Sequence, residues 1–206
     1  MTTTIHWDDA FPMLRLEGKG ARDFLQGQTT ADLSGLVDGE LQQSCWLTAT
    51  GRLRALVELR LDATGADVLV LAGDAEAVRG GFDQVIFPAD RVRLNESRRQ
   101  RRVQGLDPVG PALWLGKDQP LPEELNASTQ LESDALERHR LQQGFPPGPA
   151  EMNGETNPLG LGLSGRISLD KGWYLGQETM AKLTGKGGVK QQLRCWHSEQ
   201  PLHPGD

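Results

Sequence analysis

With 206 residues and a net charge of −6, the chain can bury a substantial core as one large domain or two small ones. The acidic balance argues against a general binder of nucleic acid or anionic membranes, and no apolar run approaches the roughly 20 residues that span a bilayer. Two cysteines, Cys45 and Cys195, suggest neither a disulfide framework nor a metal cluster, and the segment from Met1 to Asp9 lacks a leader pattern, so the sequence reads as a soluble cytoplasmic protein.

Residues 11–17 read as a strand, and residues 21–33 as a helix with Phe24, Leu25 and Gln28 at helical spacing. Leu53, Ala55, Val57, Leu59 and Leu61 alternate with Arg54, Glu58 and Arg60, the period of a half-buried strand. Ala63-Thr64-Gly65 then turns the chain into a second strand over 66–72, which makes a hairpin. Asp74 caps a helix presenting Ala75, Val78, Phe82, Val85 and Ile86, and Pro88 ends it. Residues 90–95 alternate Val92 and Leu94 with arginines, as a strand would. Hairpin-paired strands interrupted by single helices predict an α+β fold with a mostly antiparallel sheet.

Arg98-Arg99-Gln100-Arg101-Arg102 is a basic cluster in an acidic chain. It reads as a solvated face or a protected sheet edge, with a contact to RNA or an acidic partner as the alternative. Residues 105–125 and 144–165 are rich in Gly and Pro; between them, residues 133–144 form a helix opened by Ser133 and closed by Gly144, with His139 in a structural role. Gly160-Leu161-Gly162-Leu163-Ser164-Gly165 has the letters of a dinucleotide fingerprint. No strand precedes it and strand-like residues 166–169 follow, so a closely packed loop is the better account. Thr184-Gly185-Lys186-Gly187-Gly188 lacks the helix of a phosphate loop and reads as a turn into a final strand over 189–196. His6, His139, His197 and His203 have no neighbours at metal-ligand spacing, and no four-thiolate set is present for an iron–sulfur cluster.

The most informative stretch is Asp170-Lys171-Gly172-Trp173-Tyr174-Leu175-Gly176-Gln177-Glu178. Its local pattern is a strand, a turn and a helix starting near Gly176, with Gln177 and Glu178 in the first turn. The segment resembles the Lys-Gly-Cys-Tyr-x-Gly-Gln-Glu signature of the YgfZ family, folate-binding relatives of the aminomethyltransferase (T-protein) of the glycine cleavage system. Trp173 stands where the family has Cys. Three further landmarks follow the family order: the Phe24-Leu25-Gln26-Gly27-Gln28 helix, the Thr50-Gly51-Arg52 turn, and Arg140-Leu141-Gln142-Gln143-Gly144 followed by Glu151 and Asn157-Pro158.

The resemblance implies a T-protein-like cloverleaf, with residues 1–188 as a folate-binding region of two intertwined α+β subdomains. Residues 189–206 would begin a C-terminal β-barrel that is largely absent. It implies tetrahydrofolate as ligand and no metal, with Glu151, Arg140, Lys171, Tyr174, Gln177 and Glu178 as folate-binding residues and Gly172, Trp173 and Gly176 as the signature loop. A carboxylate at Glu151 can accept paired hydrogen bonds from the donor edge of a pterin. The implied role is support of iron–sulfur cluster assembly or repair in client proteins, tRNA-modifying enzymes included, without direct nucleic-acid or membrane binding. In T-protein the strand after the glycine turn carries a carboxylate pair; the matching Arg52-Leu53-Arg54-Ala55-Leu56-Val57 has none. The alternative, a folate-dependent aminomethyl- or methyltransferase, would need an acid from elsewhere, such as Asp32 or Glu58. An indole at 173 replaces neither a thiolate nor a disulfide partner, although it can stack on a flat ligand or a partner's surface.

Overall fold

The computed structural model describes residues 4–143, 151–152, 154–185, 188–194, 198 and 200. Strands β1 (Ile5–Glu17), β2 (Leu41–Leu47), β3 (Leu53–Asp62), β4 (Gly65–Gly73), β5 (Arg93–Leu94), β6 (Arg98–Asp107), β7 (Val109–Leu115) and β8 (Thr129–Gln130) form one sheet. Its main path runs β2-β3-β4-β1-β6-β7, and β5 and β8 both pair with β1. Every pairing is antiparallel except that of β8 with β1. Helices α1 (Ala21–Gln28), α2 (Ala75–Asp83), α3 (Ser133–Gln143) and α4 (Gln177–Thr184) complete the α+β architecture.

Alternation along the strands gives the sheet two different faces. Ala55, Val57, Leu59 and Leu61 of β3, with Val68 and Val70 of β4, meet Phe24 and Leu25 of α1 and Val78 and Phe82 of α2 in the main core. Phe82 makes edge-on ring contacts with Phe24 and Trp46 at 5.5 and 5.7 Å. On the other face, Cys45, Leu53 and Leu56 pack with Met152, Leu161, Leu163, Tyr174 and Met180 from the C-terminal segment. The β3–β4 hairpin and the Asp74 cap, whose carboxylate accepts the Glu76 and Ala77 N–H groups, match the sequence reading.

Several boundaries differ. Helix α1 stops at Gln28 because Thr29 turns extended, bridges Trp46 and returns its hydroxyl to the Leu25 carbonyl. Helix α2 ends at Asp83, before Val85 and Ile86. Of residues 90–95 only Arg93 and Leu94 pair, after Arg91 adopts a left-handed conformation at φ 53°. Residues 166–169 are not a strand, since their backbone bonds go to Thr30: its hydroxyl donates to Arg166 O and its carbonyl accepts Ser168 N–H. Residues 189–194 carry no strand either, and Cys195, Trp196 and the last six residues lie outside the described set, as do Gly144 and the Pro-rich turn after it.

The largest correction concerns the arginine run. At Arg101 and Arg102 it is neither solvated nor an edge, because β6 there lies between β1 and β7, whereas Arg98 and Arg99 are exposed and precede the pairing with β7. Arg101 pairs with Asp8 at 2.6 Å, Arg98 with Asp67 at 3.2 Å, and Arg102 with Glu58 at 2.8 Å, both members of the last pair being about 1% exposed. The Gly/Pro-rich stretch that follows also contains strand β7, in which Pro111 is tolerated because β7 ends the sheet path.

Candidate functional site

The signature segment is built on two side chains that point inward. Lys171 is buried, and its Nζ donates to the carbonyls of Thr29 and Ala31 at 2.7 and 2.6 Å, just past the end of α1. Burial draws its pKa down to about 8, against a smaller upward pull from Asp32. The Lys171 ammonium also lies 5.0 Å from the ring centroid of Tyr174. Tyr174 is fully buried in the second core; burial and the neighbouring Cys45 push its pKa up to about 12, and its hydroxyl has no partner among the described residues. Cys45 itself is fully buried and raised to about 12 by burial, which leaves it unsuited to act as a thiolate.

Gly176 starts α4 with φ +86°, and a Cβ there would meet Thr48 O at 2.9 Å and Gly51 Cα at 3.1 Å. Gly51, at φ +73°, is just as closely faced by Thr179. The signature glycine and the Gly51 turn therefore exist to let these two segments touch. Gly172 is different: no atom stands within 4 Å of a Cβ built there, so close packing does not require it.

The four sequence landmarks converge here. Leu175 N–H donates to Gly27 O in α1, Leu53 exchanges backbone bonds with Thr156 and Gly154, and Arg52 reaches Glu155 O at 2.7 Å. Met152 joins the core around Tyr174, and beside it Glu151 lies 3.6 Å from Arg140 of α3. Arg140 is held more tightly by Glu137, with Nε to Oε2 at 2.7 Å. Gln177 Nε2 bonds Lys171 O at 3.4 Å, while Gly172, Trp173 and Glu178 are exposed, Trp173 by 67%. Of the residues expected at the site, Lys171, Tyr174 and Gly176 are buried against neighbouring segments, and Glu151 lies beside Arg140.

The two acids considered for transfer chemistry are otherwise engaged. Glu58 accepts from Arg102 Nε and Nη2, Trp114 Nε1 and Gln43 Nε2. Burial pushes its carboxyl up, yet the Arg102 bond and charge, helped by Trp114 and Gln43, hold it below the usual range. Asp32 is lowered to about 2 by the Ser34 N–H and the Gln26 amide. Arg54 stacks its guanidinium on Trp46, 4.2 Å from the ring centroid.

Comparison with known proteins gives this geometry a context. The tRNA-modifying protein YgfZ of Colwellia psychrerythraea is 24% identical across 95% of this chain and 72% of its own length. A solved structure, the glycine cleavage system aminomethyltransferase T of Bartonella henselae, superposes with a TM-score of 0.64 at 14% identity, over 90% of this chain. The chain resembles the YgfZ proteins and their T-protein relatives. Its fold is therefore of the T-protein type, α+β around an antiparallel sheet. A chloroplast candidate transferase of Arabidopsis thaliana is also 24% identical over 95% of the chain. The chain spans 56% of that relative's length and 64% of the Bartonella structure. No family model matches. Among the described residues no helix is long and apolar enough to cross a membrane, and no group of three His, Cys, Asp or Glu is placed to hold a metal.

The sequence reading missed Gln43, Trp114 and Arg166 as cleft residues. Their only signal is burial on the second sheet face, which becomes visible once β2, β6 and β7 are paired.

Proposed function

We propose that the chain is a tetrahydrofolate-binding accessory protein that supports assembly or repair of iron–sulfur clusters in client enzymes, tRNA-modifying ones among them. The observation that carries this reading is the meeting of the landmark segments around the signature loop, through Leu175 and Gly27, Gly176 and Gly51, and Tyr174 and Met152, within a fold shared with an aminomethyltransferase. The resemblance to a protein named as tRNA-modifying supports the choice of clients. Glu151 fits the ligand chemically: its carboxylate, beside the Arg140 guanidinium, is an acceptor for the N–H edge of a pterin. Lys171 and Tyr174 support the loop rather than touch the folate.

Glu151→Ala should weaken tetrahydrofolate binding by roughly 10- to 100-fold, about 1.4–2.8 kcal/mol, by calorimetry. Glu151→Gln should fall between the two, because one acceptor survives while an amide donor faces a ring donor. Equal affinity in all three proteins would remove the pterin from this loop, and a wild type that does not bind would remove the folate reading altogether.

The cellular role is tested at Trp173. With the ring 67% exposed, Trp173→Cys leaves no cavity and should change stability by no more than about 0.5 kcal/mol. In cells lacking their own YgfZ homologue, the wild type should restore iron–sulfur enzyme activity poorly and Trp173→Cys should restore it better at equal protein levels. Full rescue by the wild type with no gain from the thiol would assign the work to the folate site.

A further inference from the structure

A pocket of about 470 Å3 opens beside the main core, between the start of α1 and the turn that follows α2. Phe24 and Ala89 give it an apolar lining, and Lys19, Asp23, Asp90 and Arg91 place two cations and two anions around it. The side chains of Lys19, Asp23 and Arg91 have no hydrogen-bond or ion-pair partner among the described residues, so opposite charges share one pocket without neutralising each other. Of the four, Asp90 is committed: its carboxylate accepts Phe87 N–H at 2.6 Å.

Next to this hollow the chain displays a knob. Phe87 is 63% exposed and Val85 37%, and neither lines the pocket. The ring is carried on a turn with little freedom. Asp90 N–H donates back to Phe87 O at 2.9 Å, Pro88 fixes the next φ, and Arg91 follows in its left-handed conformation. The turn is also seated backbone to backbone on the segment before α1, where a Cβ at Gly18 or Gly20 would run into the carbonyl oxygens of Arg91 and Asp90. An aromatic side chain already held in place loses little entropy on burial, which is what makes such residues effective interface anchors.

We propose that this face pairs with a second copy of the chain about a twofold axis, Phe87 of each copy entering the pocket of the other and Asp23 of each facing Lys19 and Arg91 of the other. Knob and hollow belong to the same turn, so a twofold beside it satisfies both at once and closes the assembly at two. The charge pattern argues for a copy rather than a foreign partner. Two cations and two anions make a surface complementary to itself, whereas a partner of one sign would leave like charges facing. One turn and one helix start from each copy make a small, reversible interface, with Kd on the order of 10–100 μM. None of Arg140, Glu151 or Lys171 to Glu178 takes part, so the pairing stands or falls separately from the folate reading.

Sedimentation velocity on the full chain, from about 5 to about 500 μM, reads the pairing directly. The wild type should pass from monomer to dimer across that range and stop at the dimer. Phe87→Ser should weaken the dimer about tenfold or more. Asp23→Lys, and separately Lys19→Asp combined with Arg91→Asp, should each stay monomeric, because like charges then meet across the axis. An equimolar mixture of those two proteins should dimerise again, since an acidic pocket now faces a basic one. All four positions are exposed, so thermal melts of the variants should match wild type and establish that they fold. A wild type that remains monomeric throughout overturns the proposal, as does a dimer that survives Phe87→Ser. A mixture that fails to pair overturns it too, because the twofold exchange of Asp23 with Lys19 and Arg91 requires the restored match.

Discussion

Replacing Glu58 with alanine should destabilise the protein by about 3–5 kcal/mol, the range for breaking a buried ion pair from one side. Glu58 and Arg102 are both about 1% exposed, and the carboxylate accepts four bonds at 2.8, 2.9, 2.8 and 3.2 Å. Its loss leaves Arg102 charged and buried with Gln104 Oε1 as its remaining hydrogen-bond partner, and strands the Trp114 N–H. Arg102 Nη1 is already without a partner among the described residues, so the pair begins imperfectly satisfied. For that reason the double replacement Glu58→Leu with Arg102→Met should recover more than half of the loss, since apolar residues of similar volume avoid desolvating either charge. Urea unfolding at neutral pH measures both. The pH dependence has a fixed sign. Glu58 has a folded pKa below the ordinary value of 4.5, so its contribution is complete above that value and is lost as pH falls through the folded pKa. The wild type should therefore lose stability in that acid window more steeply than the double variant. A loss below about 1 kcal/mol for Glu58→Ala would show that the cleft wall does not depend on the pair.

That pair also shows where sequence reading runs out. The β3–β4 hairpin was legible because alternation and a turn are local signals, and α2 was legible from its Asp74 cap. The arginine run was not, because its meaning lies in acids far along the chain. Asp67, Glu58 and Asp8 stand 31, 44 and 93 residues from Arg98, Arg102 and Arg101. Once those acids are placed, the Arg101–Arg102 end of the stretch becomes part of an interior strand, while Arg98 and Arg99 stay exposed. β7 was hidden for a different reason: Gly110 and Pro111 give it the composition of a loop, and only its terminal place in the sheet path makes them acceptable. At the candidate site, family resemblance pointed to segments that the fold brings together, and their packing shows what each residue touches. Gly176 and Gly51 are needed for contact, Gly172 is not, and Lys171 turns toward the Thr29 and Ala31 carbonyls.

Lys171→Met should therefore loosen the signature loop. Methionine keeps an apolar stem of similar reach but leaves the Thr29 and Ala31 carbonyls without the ammonium. Each charge-assisted bond contributes about 1.5–3 kcal/mol, and the burial that lowers the Lys171 pKa to about 8 offsets part of the total. A net loss of about 2–3 kcal/mol follows. It should be concentrated locally: the amides of Ser168 and Leu175, which bond Thr30 O and Gly27 O, should lose more hydrogen-exchange protection than those of the β3–β4 hairpin. The sign of the pH effect is again fixed. The folded pKa of about 8 lies below the ordinary lysine value of 10.5, so between them the unfolded chain binds more protons. The stability advantage of wild type over Lys171→Met should consequently grow as pH rises through that interval and shrink as pH falls back through about 8. Unchanged protection at Ser168 and Leu175 in the variant would mean that the loop is held by its backbone bonds and the Gly51–Gly176 contact alone. Tetrahydrofolate affinity should then be just as insensitive to Lys171→Met, whereas a loop that opens should take the affinity down with it.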